Sequence, residues 1–165
     1  FYSCTHTTFS PNLAESDRQM KTNVIPDQID VNVDIRTLPG ESTAEVQAHL
    51  DAALGDLASQ VEVEIIMNDP ASVSQMDNPL WDTIQKAVNQ PFPTARLSPQ
   101  FIVGFTDARV YRELGSVAYG AGLFSPALKS SDFMTRFHGH NERIDVESLS
   151  LTTQFWLDVC RDFLS

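Results

Sequence analysis

The sequence predicts an α/β protein in two pieces: a sheet with one covering helix over residues 1–69, then an α/β layer over residues 70–165. Three observations carry this expectation. Residues 28–36 alternate, Ile29, Val31, Val33 and Ile35 against Asp30, Asn32, Asp34 and Arg36, which is the period of a strand with one wet face. A polar, proline-bounded connector, Asn68-Asp69-Pro70 to Asn78-Pro79, marks a change of character and a candidate domain boundary. Beyond it, short apolar runs alternate with amphipathic helical stretches, which implies strands paired in parallel.

The chain opens on Phe1-Tyr2-Ser3-Cys4, with no initiator Met, no targeting character and no helix start, and runs into an extended stretch; a fragment is expected. After the alternating strand, Pro39-Gly40 breaks the chain. Ser42-Thr43-Ala44-Glu45 is a capping-box start for a helix with Val46, Leu50, Leu54 and Leu57 on one stripe. Val61-Glu62-Val63-Glu64-Ile65 alternates again and is expected to return as a strand. The resulting order is strand, strand, helix, strand in an antiparallel sheet, one helix short of a two-layer sandwich.

Past the connector, Leu80, Trp81, Ile84, Ala87 and Val88 make a short amphipathic helix ended by Pro91 and Pro93. Phe101-Ile102-Val103-Gly104 reads as a buried strand end. Thr106-Asp107 then caps a helix through Val110, Tyr111 and Leu114 to a stop at Gly115. Val117 to Gly122 is expected as the next buried strand. Asp145 caps the last helix, whose apolar surface comes from Leu149, Phe155, Trp156, Val159, Cys160 and Phe163.

Composition narrows the function. With 42% hydrophobic residues and 20% charged ones, the 165-residue chain can bury a core. Eleven Lys and Arg against 22 Asp and Glu leave a formal charge of -11, which repels phosphate backbones and anionic lipid, so nucleic acid and membrane partners are not expected. No membrane span or intact signal peptide is legible. Two cysteines, Cys4 and Cys160, are too few for a disulfide framework or a thiolate metal site, and a reducing, cytoplasmic setting fits them.

Among the four histidines, His49 lies opposite the apolar stripe of its helix and reads as a solvated surface group, while His6 sits uninformatively among threonines. His138-Gly139-His140 says more, because residues two apart in an extended segment project to one side and imidazole is the commonest metal ligand. Two histidines in one loop do not define a zinc site, and on spacing alone a plain polar loop is the readier explanation. Arg36 has the fork that suits a carboxylate, with Asn23 able to fix an acyl oxygen; pairing of Arg36 with Asp34 or a cross-strand acid is the simpler alternative. Gly104-Phe105-Thr106-Asp107 places a glycine and a helix start at the end of a strand, where open α/β sheets hold ligands, though a simple strand-to-helix turn would look the same.

Taken in order, three segments resemble the cocatalytic zinc hydrolases that include aminoacylases, acetylornithine deacetylase, succinyl-diaminopimelate desuccinylase and glutamate carboxypeptidase. Lys21-Thr22-Asn23-Val24-Ile25-Pro26 with Val33-Asp34-Ile35-Arg36-Thr37-Leu38-Pro39-Gly40 is similar to the family's lid. Phe105-Thr106-Asp107-Ala108-Arg109 resembles its Gly-Gly-Thr-Asp-x-Arg turn, with Phe105 standing where the second glycine is usual. Phe137-His138-Gly139-His140-Asn141-Glu142-Arg143 resembles its last metal-ligand segment.

The resemblance implies an incomplete ferredoxin-like lid over 1–69 and the C-terminal strands and helices of a zinc-exopeptidase-like domain over 70–165. It makes His138 a zinc ligand, His140 a neighbour that orients a carboxylate or water, and Asn23, Arg36, Gly104 and Asp107 substrate contacts. The reaction implied for the parent is hydrolysis of the amide bond of an N-acyl amino acid or small peptide with two zinc ions and a Glu general base. The remaining ligands and the base belong to a segment upstream of the lid in the family, so no catalytic residue is expected here and this polypeptide alone is expected to be inactive. A homodimer through the lid is implied as well. The competing expectation is a non-enzymatic dimerisation or binding module.

Overall fold

The computed structural model describes residues 2–16 and 22–165, and the chain divides into two compact units. Lys21 of the lid-like motif lies outside the described residues. Unit 1 comprises residues 1–73 with 100–109, and unit 2 comprises 74–99 with 110–165. The described residues form a mixed α/β fold with one small sheet and several helices.

In unit 1, β1 (Thr8–Glu15) and β2 (Asp30–Arg36) form an antiparallel pair in the register Thr8 to Arg36 and Glu15 to Asp30. Pro11 has no N–H to give a ladder, which an edge strand tolerates. The register shifts between Pro11 and Leu13, so Asn12 bulges and the two halves of the ladder are offset. Helix α1 (Thr43–Leu54) begins on the expected capping box: the Glu45 N–H donates to the Ser42 hydroxyl oxygen and the Ser42 N–H to the Glu45 carboxylate at 2.8 Å. Gly55 then takes φ +54, a left-handed value that suits glycine, and residues 55–60 tighten into a 3-10 turn. That change of winding carries Leu57 off the stripe, leaving it 57% exposed.

In unit 2, Asn78 caps α2 (Pro79–Asn89) by accepting the Trp81 N–H at 3.1 Å, with Pro79 at the first helical position where a missing N–H costs nothing. Helix α3 (Ala108–Glu113) straddles the boundary of the units and closes at Gly115, φ +84. There the Ser116 N–H reaches the Tyr111 carbonyl and the Gly115 N–H the Arg112 carbonyl, both at 2.9 Å, the paired bonds of a Schellman stop. A one-turn helix, α4 (Ser130–Phe133), precedes α5 (Val146–Phe163), which Asp145 caps through the Ser148 N–H at 2.8 Å. The core is the seam of α2 and α5: Ile84, Ala87, Val88, Phe155 and Val159, with Leu80, Ala95, Leu97, Tyr119, Ala121 and Leu123 against it. Leu149, Trp156, Cys160 and Phe163, expected on the same apolar surface of α5, are exposed, because one helix seals only one stripe.

Three expected strands are absent from the described residues. Residues 61–65, 101–104 and 117–122 pair with no other strand among the described residues, so the sheet described is the β1–β2 pair, antiparallel as expected for residues 1–69, and the parallel pairing expected beyond residue 70 is not found among the described residues. Alternation and apolarity describe half of a strand contact; a ladder needs a neighbour's N–H and C=O groups as well. The segment 61–65 stays exposed, and so does 101–104, with Ile102 at 65%. The segment after 117 finds a different partner. The Leu123 N–H donates to the Thr152 hydroxyl at 2.9 Å, that hydroxyl donates to the Leu123 carbonyl at 2.7 Å, and the Ser125 N–H donates to the Ser148 hydroxyl at 2.9 Å. Side chains of α5 thus replace a ladder. Thr152 also lies 3.5 Å from where a Cβ on Gly122 would sit, so the backbone there runs close against the helix.

Candidate functional site

Each unit positions its own candidate residues. In unit 1, β2 ends in Asp34-Ile35-Arg36, and the period of the strand puts Asp34 and Arg36 on one face. The Arg36 Nε donates to the Asp34 carboxylate at 2.8 Å, in an ion pair whose Arg side chain is 35% exposed. The simpler alternative for Arg36 is therefore realised in the free chain. Asn23 is exposed in the turn before β2. Gly104 and Asp107 are exposed too, Gly104 having room for a Cβ that would meet only Ile102, at 3.9 Å.

Phe105 organises this region. The guanidinium carbons of Arg36 and Arg109 lie over its ring, 5.4 and 5.3 Å from the centroid, within the range of cation–π attraction. Arg109 is fixed in turn by Asp69, its Nη1 donating at 2.6 Å. The unit thus gathers Asp34, Arg36, Phe105, Arg109 and Asp69 in one chain of contacts. Only Arg36 among the last four was legible as a pair with its neighbour; an aromatic at position 105 was the one departure in sequence that pointed here.

In unit 2, the segment carrying His138 is a turn. His138 has φ +53 and Asn141 φ +66, so the expectation of an extended segment with His138 and His140 on one side does not hold. Both imidazoles are exposed. The Arg143 N–H donates back to the Arg136 carbonyl at 3.3 Å, closing the turn across residues 136–143. Arg136 anchors it to the start of α5 by donating from Nη1 to Asp145 at 2.7 Å. Phe137 packs edge-on against Phe133, and Phe133 against Phe124, with centroids 4.8 and 4.7 Å apart. The Arg136 Nε is buried without a hydrogen-bond partner among the described residues. The Ser148 N–H and hydroxyl, with Arg136 adding less, hold the Asp145 carboxyl below the ordinary Asp range.

The other two histidines belong to unit 1 and line a shallow cavity of about 630 Å³ together with Tyr2, Thr7, Phe9, Glu41 and Glu45. His6 stacks on Tyr2 at 4.1 Å, and His49 pairs with Glu41 at 3.3 Å. Glu41 also accepts from the Thr7 hydroxyl and from the Leu38 N–H at 3.4 Å, which makes it a staple between β1, the turn after β2 and α1. The backbone and hydroxyl of Ser42 hold Glu45 below the usual carboxylate range, with a smaller pull from His49. Spacing hinted at this cluster only through Glu45 and His49, one helical turn apart.

A catalytic zinc takes three protein donors and keeps one position open. Among the described residues no three His, Cys, Asp or Glu side chains converge in that way. His138 and His140 therefore do not make a zinc site by themselves.

Comparison with known proteins decides the lineage: residues 7–162 match the sequence profile of Peptidase family M20/M25/M40. The chain belongs to that family. Members of the M20 family are in general metal-dependent hydrolases. Among its relatives, the N-fatty-acyl-amino acid synthase/hydrolase PM20D1 of Xenopus tropicalis is 30% identical over 145 residues, 87% of this chain and 27% of that protein. The probable carboxypeptidase S-like 2 of Dictyostelium discoideum is 26% identical over 144 residues, 86% of this chain and 27% of its own length. The PM20D1 of Homo sapiens is 27% identical over 146 residues, 87% and 28% of the two chains. The chain thus spans about a quarter of the length of these M20 relatives. No solved structure matches it. Among the described residues, no helix is long and apolar enough to cross a membrane.

Proposed function

We propose that this chain is the lid and C-terminal portion of an M20 hydrolase that cleaves the amide bond of N-acyl amino acids, including long-chain acyl ones, with the active metal cluster completed by polypeptide outside it. The observation that carries the reading is the family match across 7–162, a span that includes the Asn23–Arg36 segment, the Thr106-Asp107 turn and the His138 turn. The names of the Xenopus and human relatives support an N-acyl amino acid as substrate.

Within this chain the work is binding and presentation. Arg36 offers its guanidinium, and Asn23 its side-chain amide, to the substrate carboxylate or to the oxygens of the tetrahedral intermediate, a charge-assisted contact that orients the scissile bond. Gly104 and Asp107 border the same substrate. His138 is held in an exposed turn with its imidazole available as one ligand. Two zinc ions are the group the family implies; the residues of this chain fall short of holding them, and the general-base Glu likewise comes from elsewhere. Isolated, the chain has binding groups and no reacting centre, so it is inactive. The free thiols of Cys4 and Cys160 support a cytoplasmic setting, and the exposed Val31 and Val33 on the β1–β2 sheet support a homodimer through the lid.

Titration of the 165-residue chain with N-acetylleucine in the presence of zinc tests this. No hydrolysis is expected, while the resonances of Arg36 and Asn23 shift with weak affinity, as for an exposed Arg–carboxylate contact worth no more than about 1 kcal/mol. Arg36→Ala abolishes the shifts. Turnover by the chain, or a wild-type chain whose Arg36 ignores the ligand, overturns the reading.

A further inference from the structure

We propose that Phe105 is a positioning residue for the substrate carboxylate, its ring holding the Arg36 guanidinium out of solvent-averaged motion and in a fixed orientation. The inference rests on the proposed role of Arg36 and adds to it a residue that the family's usual glycine could not supply.

Three features of unit 1 lead there. First, Arg36 has only one hydrogen bond among the described residues, from Nε to Asp34, so its terminal Nη groups remain for a ligand. A four-bond side chain with a single tether and 35% exposure samples many rotamers, and each must be given up when a carboxylate binds. Second, the Phe105 ring supplies a second tether of a kind that does not consume donors, because the attraction of a guanidinium to an aromatic face uses none of its N–H groups. Third, the ring is itself located. Arg109 lies over it at 5.3 Å and is pinned to Asp69, so Phe105, although 53% exposed, is not free to swing.

The electrostatics agree. In a chain of formal charge -11, two guanidiniums meet at one ring, each paired with one Asp. Two cations would repel one another in the open, and the negative faces of the ring lower that cost. With glycine at 105, Arg36 would keep Asp34 alone, and the carboxylate would compete with Asp34 for a mobile partner. Phe105 therefore raises carboxylate affinity by pre-organisation without touching the ligand.

The experiment compares the wild-type chain with Phe105→Leu and Phe105→Tyr, reading the Arg36 and Arg109 Nε–Hε resonances and the affinity for N-acetylleucine. In the wild type both Arg signals are displaced by the ring current. Phe105→Leu is expected to remove both displacements and weaken binding about two- to fivefold, the worth of one exposed cation–π contact; Phe105→Tyr is expected to restore both. A packing role alone would let Leu substitute for Phe with no loss of affinity, although the ring-current displacement disappears with the ring. Equal affinity in Phe105→Leu overturns the proposal while leaving the role of Arg36 standing. A wild-type chain that does not bind the ligand at Arg36 instead overturns that role, and the proposal with it.

Discussion

Phe155→Ala is expected to lower the stability of unit 2 by about 3–5 kcal/mol, the largest effect of any single truncation in the chain. Phe155 is 2% exposed and is the largest side chain fully enclosed between α2 and α5. It shares one buried cluster with Ile84, Ala87, Val88 and Val159, and only these five hydrophobic residues are fully buried among those described. A core so small has no second layer to collapse into the gap, so the transfer and cavity terms both remain. Small domains are stable by only about 5–15 kcal/mol, and the loss would take a large part of that. Thermal unfolding followed by far-ultraviolet circular dichroism should show the transition of unit 2 displaced downward by many degrees, with Phe155→Leu displaced far less. Equal transitions for Ala and Leu would show that the seam is not the source of stability.

Ser148→Ala is expected to cost about 1–3 kcal/mol for a different reason. Ser148 has 0% exposure, and its hydroxyl serves two directions: it accepts the Ser125 N–H at 2.9 Å and donates to Asp145 at 2.8 Å. Ser125 is buried as well, so removing the hydroxyl leaves a backbone donor with neither protein nor water. The same change removes one of the two donors to the Asp145 Oδ2, which also receives Arg136 from the His138 turn, while Oδ1 caps α5. Denaturant titration should give a lower midpoint with an unchanged slope, and the Ser125 amide should exchange with solvent much faster than in the wild type. An unaltered Ser125 amide would mean that this bond contributes nothing.

What the residues made legible is local. Ser42 with Glu45, Asp145 before α5 and Gly115 after α3 each satisfy orphan backbone groups within a few positions, and every one of those helix ends stands where the spelling put it. The alternation at 29–36 likewise produced β2, with β1 beside it. The failures are the expected strands at 61–65, 101–104 and 117–122. Each has strand character in its side chains, but pairing depends on a neighbour that its own sequence does not encode, and near Leu123 and Ser125 hydroxyls of α5 took that place.

The candidate site divides in the same way. Asp34 beside Arg36 could be read from period-two spacing. The left-handed backbone at His138 and Asn141 could not, because neither residue is glycine and the closing bond from Arg143 to Arg136 spans the turn. Phe105 was visible as a departure from a family pattern, whereas its contact with two guanidiniums depends on β2 and the segment of 100–109 meeting within unit 1. Residue type nominated these positions; long-range packing decided what each one touches.

That His138 is the metal ligand of this segment can be tested on the chain itself by titration with cobalt(II), reading the imidazole resonances of all four histidines. Weak, selective broadening at His138, with His140 following as its neighbour and His6 and His49 unchanged, is the expected result for one exposed ligand awaiting its partners. Broadening confined to His6 and His49, beside Glu41 and Glu45, with His138 untouched, would contradict it.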